Sequence, residues 1–417
     1  MKVRAHIPSV EEVEVYVPKD LKIKDLKQKI CRRLQIEPEF TRLLLDRKIL
    51  DERKRLSQFE ARSKKIEVDY LWARHLILWG KTGQAKIRNS TILIAGAGAL
   101  GNEIAKNLAM LGVMRLIIVD YDVVELSNVS RMIFFDGSDA GKSKAKVLAQ
   151  KLYRKYPRTE IVAYDCALED MPLSTFLESD VIICGLDNVA SRIFLTSISR
   201  KYSIPMVDGG IIGYQGRVQV YVPPDAPCPI CPLPSSQYAQ LIGLRNPCDA
   251  PVEEAKTPSL PTSISFVSSI QTQEALKLIL GYKDFMETKT WPQHVGTPLK
   301  GVLIADLKYN RYSNLDLRRN ETCIVCGKEG VGRDLVQKME IPLKSLRNSA
   351  SRLWKLVSRQ LGEDVEELQL FKIIVEKPIK IDYGSKLSDY GMGREAVVQA
   401  IFKKKSDEYR EAIVRFL

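Results

Sequence analysis

Residues 91–120 read TILIAGAGALGNEIAKNLAMLGVMRLIIVD, and the order of residue types in that stretch decides the fold class. Thr91-Ile92-Leu93-Ile94-Ala95 is an uninterrupted apolar run, the pattern of a short strand buried on both faces. Gly96, Gly98 and Gly101 follow at G-x-G-x-x-G spacing, and Asn102 to Leu111 is predicted as a helix. Leu116-Ile117-Ile118-Val119 is a second apolar run, closed by Asp120. The glycines allow a tight turn and a close approach of the backbone to phosphate, and the helix N-terminus offers N–H groups to an anion. Asp120 is placed to accept from ribose hydroxyls. By itself the motif indicates a dinucleotide or nucleotide, with NAD the default reading.

Working outward, apolar runs at Val181-Ile182-Ile183-Cys184 and Pro205-Met206-Val207 continue the alternation of strands and helices, which implies a largely parallel sheet. This α/β unit is expected over 71–334. Residues 1–70 carry a separate pattern. Val3, Ala5 and Ile7 alternate with polar residues, as do Val13, Val15 and Val17, and Ile23, Leu26, Ile30 and Leu34 recur at helical spacing. From 335 to 417 the pattern resets, with an amphipathic stretch at Ala350 to Leu361 between strand-like segments. Three domains suit a chain of 417 residues.

Composition excludes several classes. The first residues are charged and alternating, unlike a signal peptide, and no uncharged apolar run reaches the length of a membrane span. A cytoplasmic protein with no membrane role is expected. The net charge of +13 is spread evenly over the three segments, whereas nucleic-acid binding favours one dense basic face. No nucleic-acid partner is expected.

The residues beyond the glycine turn argue against hydride transfer. Asn128, Arg131, Lys144 and Asp187 follow in order, and two cations, an amide and a carboxylate suit ATP with magnesium. A departing pyrophosphate needs its developing charge neutralised. The three histidines lie in no pattern that looks catalytic.

Eight cysteines in a chain this long are not a disulfide scaffold. Cys228-x-x-Cys231 and Cys323-x-x-Cys326 can supply four thiolates to a tetrahedral structural zinc, because each pair presents both sulfurs from one turn. Between them, residues 232–261 contain six prolines and no clear period, and a loop of that length is more often functional than idle. Cys248 is its one cysteine. The next helix is predicted to start at Thr262 or Ser263. Cys31 and Cys184 lie on apolar stretches and are expected to be inert and buried.

Residues 1–70 resemble ubiquitin's β-grasp fold, in their element order and in the wording RLLLDRKILDERKRLSQF and KKIEVDYL; the chain runs on past them without a Gly-Gly tail. The stretch LWARHLILWGKTGQAKIRNSTILIAGAGALGNEIAKNLAMLGVMRLIIVDYDVVELSNVSR resembles the adenylation domain of ubiquitin-activating enzymes and of their bacterial relatives, which adenylate sulfur carriers. ICGLDN and DGGIIGYQGRVQVYVPP lie closer to the modifier-activating branch. The resemblance implies a Rossmann-like adenylation domain, flanked here by an N-terminal β-grasp domain and a C-terminal β-grasp-like one. It implies that Asp120 holds ribose, that Asn128, Arg131 and Lys144 bind phosphates, and that Asp187 holds magnesium. Arg74 matches an arginine that reaches a neighbouring subunit's ATP site, which implies a homodimer. Met132 stands where the family usually has glutamine. In the thiol-dependent members the loop after the first cysteine pair carries the catalytic cysteine, here Cys248. The expected activity is acyl-adenylation of a ubiquitin-like modifier protein, thioester formation on Cys248 and transfer to a conjugating enzyme. The rival readings are a sulfur-carrier adenylyltransferase without an enzyme thioester and a non-catalytic nucleotide-binding scaffold.

Overall fold

The computed structural model describes residues 1–59, 65–233, 258–328, 330, 337–362, 365–372, 379–392, 396–404 and 409–416. The first sheet comprises β1 (Lys2–Ile7), β2 (Glu11–Tyr16), β3 (Thr41–Leu45), β4 (Lys48–Ile49) and β5 (Lys65–Tyr70), in the order β2-β1-β5-β3-β4. The first and last strands run parallel and the others antiparallel. Alternation in β1 and β2 puts Val3, Ala5, Ile7, Val13 and Val15 on one face, where α1 (Ile23–Leu34) covers them with Ile23, Leu26, Ile30 and Leu34. The turn between β3 and β4 places Asp46 and Arg47 in the left-handed region, the geometry that matches the twist of a tight hairpin.

The chain then enters α2 (Ala73–Arg88), which is broken at Gly80, where φ is 65°. The central sheet follows, with helices on both faces. Its strands are β6 (Thr91–Ala95), β7 (Arg115–Val119), β8 (Glu160–Tyr164), β9 (Val181–Cys184), β10 (Met206–Ile212), β11 (Gln215–Tyr221), β12 (Val302–Asp306) and β13 (Arg311–Leu315). The spatial order is β13-β12-β11-β10-β9-β6-β7-β8. The five strands from β8 to β10 are mutually parallel, and β11 to β13 extend the sheet antiparallel. Relabelled by chain order, the parallel part runs 3-2-1-4-5, so the winding reverses between β6 and β9. Crevices at such reversals, outside the carboxyl ends of the strands, are where ligands bind in open α/β sheets.

One face of the central sheet is covered by α3 (Ala99–Leu111), α4 (Lys144–Lys155) and the 28-residue α7 (Pro261–Thr288), whose partners include Ile92, Ile94 and Val207. The other face is covered by α5 (Leu173–Glu178) and α6 (Val189–Lys201), over Leu93, Ile117 and Ile182. Helix α7 starts at Pro261, one residue before the earlier of the two predicted starts, because proline is well suited to the first turn, where no intrahelical N–H is needed. Helix α3 likewise begins at Ala99, three residues before the predicted Asn102, so the third motif glycine lies inside the helix.

The last sheet contains β14 (Gln337–Ile341), β15 (Val365–Lys372), β16 (Ile379–Lys380), β17 (Val397–Lys404) and β18 (Tyr409–Phe416), in the order β14-β18-β17-β15-β16. Helix α8 (Ala350–Leu361) packs Leu353 and Val357 on it. Its first and last strands are parallel, as in the N-terminal sheet, but among the described residues β14 lies at the sheet edge and pairs only with β18. Ile413 of β18 is buried in the core of the central sheet, which ties this unit to the face that carries α6. Among the described residues no helix is long and apolar enough to cross a membrane.

Candidate active site

The carboxyl ends of β6 and β9 are in register, with Ala95 opposite Cys184, and the Gly185 amide donates to the Ala95 carbonyl at 2.9 Å. The glycine turn after β6 and the loop carrying Asp187 after β9 therefore leave the sheet side by side, at its reversal point.

Two of the three motif glycines are demanded by the turn itself. Gly96 has a φ of +99°, and a Cβ on Gly101 would lie 1.9 Å from the Gly96 carbonyl oxygen. Gly98 is different. Its φ is −72°, and a Cβ there would meet nothing within 4 Å. The fold alone does not require glycine at the N-cap of α3, where no side chain caps the helix. What the missing side chain leaves is open space against the first-turn N–H groups.

Asp120 ties the turn to the second strand. One carboxylate oxygen accepts from the Ala97 amide at 2.6 Å and the other from the Asp122 amide at 2.8 Å. Burial pushes its carboxyl above the usual range, opposed by those amides and by Lys144 nearby. Lys144, the first residue of α4, donates to the Asp122 carboxylate at 2.7 Å, and its own amide donates to the Asp122 carbonyl at 2.9 Å. Asp122 was not singled out from sequence, although the DYD motif placed a second carboxylate on the same turn.

Asn128 is buried at the end of a 3₁₀ turn, where its Oδ1 accepts from the Glu125 amide at 2.9 Å. Arg131 is half-buried and donates to the Ser127 carbonyl at 3.3 Å. Met132 packs into the core beside Leu148 and Val124, so the absent glutamine is replaced by an inward apolar side chain. Asp187 is exposed in the loop before α6; its neighbour Asn188 caps that helix by accepting from the Ser191 amide at 2.8 Å.

Behind the Asp187 loop lies a charge cluster that sequence reasoning missed. Asp208 on β10 has no exposed surface. One of its oxygens accepts from Arg192 of α6, and the other is 2.7 Å from Arg217 Nη1 on β11. Arg192 also donates to the Leu186 carbonyl, and at 3.0 Å to the Gly209 carbonyl. Burial lowers both guanidinium pKa values. The available signals were a basic residue one turn into the helix after Asp187 and the acidic residue opening DGG.

Arg74 is exposed on the first turn of α2, between the buried Trp72 and Leu76. Cys248 lies outside the described residues. Cys184 is fully buried with its Sγ 3.8 Å from Arg192 Nη1, and Cys31 is buried too, as expected of both.

Cys228, Cys231, Cys323 and Cys326 converge, with all four sulfurs within 4.8 Å of one another and all four residues buried. Sγ–Sγ separations are 3.7 Å for 228–231, 3.6 Å for 228–323 and 3.3 Å for 231–326. A tetrahedral site with zinc–sulfur bonds of about 2.3 Å has edges of about 3.8 Å, so the donor set fits a four-thiolate ion. The Asn320 amide donates to the Cys231 sulfur at 3.5 Å, the kind of support a thiolate ligand receives.

The chain is 33% identical over 160 residues to the NEDD8-activating enzyme E1 catalytic subunit of Caenorhabditis elegans, a match that covers 35% of this chain and only 37% of that protein. It is 29% identical over 263 residues to the SAMP-activating enzyme E1 of Haloferax volcanii, covering 62% of this chain and 89% of the relative. A sulfur carrier protein adenylyltransferase of Thermus thermophilus matches at 28% over 264 residues, with the same two coverages. Among solved structures, E. coli MccB with ATP overlays at a TM-score of 0.48 and 19% identity, over 62% of this chain and 74% of that one. A family model described as the ThiF family matches residues 72–325, which include the glycine turn, the Asp187 loop and three of the four clustered cysteines, Cys326 lying just beyond. The chain belongs to the ThiF family, within the ubiquitin-activating-enzyme-like superfamily.

Proposed function

We propose that this protein activates a ubiquitin-like protein by ATP-dependent adenylation of its C-terminal carboxylate. The reading rests on one observation above all: the register of Ala95 with Cys184 sets the glycine turn beside the Asp187 loop at the reversal of the sheet. Family members so named are activating enzymes and adenylyltransferases.

The roles follow from the chemistry. The open space at Gly98 admits phosphate against the α3 N-terminus. Asp120, anchored by two amides, presents its remaining lone pairs to the ribose. Lys144, Arg131 and Asn128 line the phosphate path, and Asp187 would hold magnesium, which supplies charge neutralisation on the phosphates. The modifier carboxylate oxygen attacks the α-phosphorus, the bond to the bridging oxygen breaks, and pyrophosphate leaves with its charge met by Lys144 and Arg131. Arg74 would reach the site of a second copy in a homodimer. The four cysteines would hold a structural zinc with no open position.

In the finer reading, the Cys248 thiolate attacks the acyl carbon, AMP leaves, and the thioester passes to a conjugating enzyme. The rival, a sulfur-carrier adenylyltransferase that forms no enzyme thioester, draws support from the Thermus sulfur carrier protein adenylyltransferase, of which 89% is covered. ATP–pyrophosphate exchange run beside non-reducing gels, with candidate modifiers ending in a free carboxylate, decides. Cys248→Ala is expected to keep exchange and lose a thiol-sensitive conjugate. A conjugate that survives the substitution sinks the Cys248 assignment, and exchange without any conjugate in the unsubstituted protein establishes the rival.

A further inference from the structure

The N-terminal sheet and the adenylation unit are joined without a linker. Strand β5 ends at Tyr70, the Leu71 amide donates to the Phe40 carbonyl at 3.0 Å, and α2 begins at Ala73. Trp72 and Leu76, which flank Arg74, are not buried in the adenylation core. They belong to the N-terminal core, with Phe40, Leu43 and Tyr70. The Trp72 ring lies 4.5 Å from that of Phe40 and 5.9 Å from that of Tyr70.

The far side of the same aromatic cluster is clamped to the adenylation unit. Arg88, the last residue of α2, lies 4.8 Å over the Phe40 ring and 5.5 Å over the Trp72 ring, and pairs with Glu37. Glu37 also accepts from the Tyr70 hydroxyl at 2.7 Å. Arg158 lies 4.5 Å over Phe40, and the Trp72 indole N–H donates to the Met110 carbonyl at 3.0 Å. Guanidinium stacked on aromatic faces in a half-buried setting is worth more than an exposed ion pair.

Helix α2 is interrupted at Gly80. The half after the break carries Gln84, Lys86 and Ile87 against the adenylation unit: Lys86 donates to the Leu280 carbonyl at 2.9 Å and Ile87 is in its core. The half before it, 73–79, meets both units: Trp72 and Leu76 at its start lie in the N-terminal core, whereas Trp79 at its end packs on the adenylation core and donates to Gln84 across the break at 3.0 Å. Arg74 thus projects from an arm whose start, at Trp72 and Leu76 on either side of it, is held by the N-terminal core, while its own side chain is exposed.

We propose that the N-terminal domain is the positioning element for Arg74: Phe40 and Trp72, with Glu37 and Arg88, fix the arm so that Arg74 enters the ATP site of a second copy of this chain. This rests on the reading that Arg74 serves a neighbouring subunit. Phe40 and Trp72 are positioning residues and touch no substrate. The N-terminal domain then acts in trans on a reaction it does not contain, with no need of a modifier-like C-terminus.

Mixed dimers separate this from a general stabilising role. One chain carries Lys144→Ala and keeps Arg74, so it donates the arginine; the other carries Arg74→Ala and keeps Lys144, so it offers the site. Two tags allow the mixed species to be purified, and magnesium–ATP binding is measured by equilibrium dialysis. Each doubled species is expected to bind weakly and the mixed dimer to regain one tight site. Adding Phe40→Ala to the arginine donor should weaken that site about tenfold, the loss of one charge-assisted contact, while adding it to the site-bearing chain leaves it unchanged. Glu37→Gln, a milder change, should give the same asymmetry in smaller size, and it covers the case in which Phe40→Ala unfolds its domain. Equal effects from both chains, or none from either, overturn the proposal. A mixed dimer that regains no tight site before Phe40 or Glu37 is altered refutes the trans role of Arg74 itself, and the proposal with it.

Discussion

The Lys144 ammonium stands 2.7 Å from the carboxylate of Asp122, whose amide donates to Asp120, the residue that holds the Ala97 amide of the glycine turn. The lysine is largely buried and the carboxylate is not, so the pair holds a cation at the site while its counter-charge stays in contact with solvent. On the proposed function, a triphosphate would compete with Asp122 for this ammonium.

Two substitutions should therefore differ. Lys144→Ala is expected to abolish ATP–pyrophosphate exchange, a loss of about a hundredfold or more in rate, as for removal of one preorganised charge at a developing anion. Asp122→Asn leaves the cation but loosens it, and should raise the KM for ATP several-fold with a smaller change in kcat. Steady-state exchange kinetics check both, and wild-type exchange in Lys144→Ala would remove that residue from the site.

Metal analysis of the purified protein should return one zinc per chain. Cys323→Ser or Cys326→Ser should lose it and lower the melting temperature, since binding free energy of a structural site is folding free energy, on the order of 10 kcal/mol at neutral pH. Ile413 of β18 shares a core with the four cysteines, so metal loss should also expose the C-terminal sheet to limited proteolysis. Full thermal stability without metal would refute the assignment.

Asp208 sits between two guanidinium groups with no exposed surface of its own. Asp208→Asn leaves them facing each other around a neutral amide, and should cost about 3–5 kcal/mol in urea unfolding. Arg217→Met removes a partner that is half-buried and should cost clearly less. If the two variants are equally stable, the cluster is not the balanced buried pair described here.

Burial holds the Asp120 carboxyl above its ordinary value, so the folded protein binds its proton more tightly than the unfolded chain. The sign follows from linkage: the folded state gains from this group as pH falls through the raised pKa and pays for its ionisation above it. Asp120→Asn removes the dependence. The difference in unfolding free energy, wild type minus Asp120→Asn, should grow between neutral pH and pH 4. A flat difference over that range would show that the two backbone amides outweigh burial.

Much of the central sheet was legible because its strands are buried on both faces. Thr91–Ala95, Leu116–Val119 and Val181–Cys184 read as apolar runs since water reaches neither side. Helix α8 was read at its observed limits, Ala350 to Leu361, because one face is apolar at helical spacing. By contrast β13, Arg311–Leu315, is exposed at every residue and shows no alternation to detect. In the candidate site, glycines, Lys144 and the cysteine pairs were legible from spacing. Asp122, Arg192, Asp208 and Arg217 were not, because surface-like charged residues gain meaning only from partners brought together by folding.

The sequence by itself determined which segments bury which faces, and with them the α/β class and the glycine turn, because burial patterns and tight turns are local properties of residue type and spacing. Tertiary structure alone decided which distant groups meet. It closed Cys228 onto Cys323 across 95 positions, set the Asp187 loop beside Gly96, and packed Trp72 against Phe40. Those contacts depend on strand order and on which side of the sheet each crossover lands. No local pattern carries that information, because it is fixed by packing the whole chain at once.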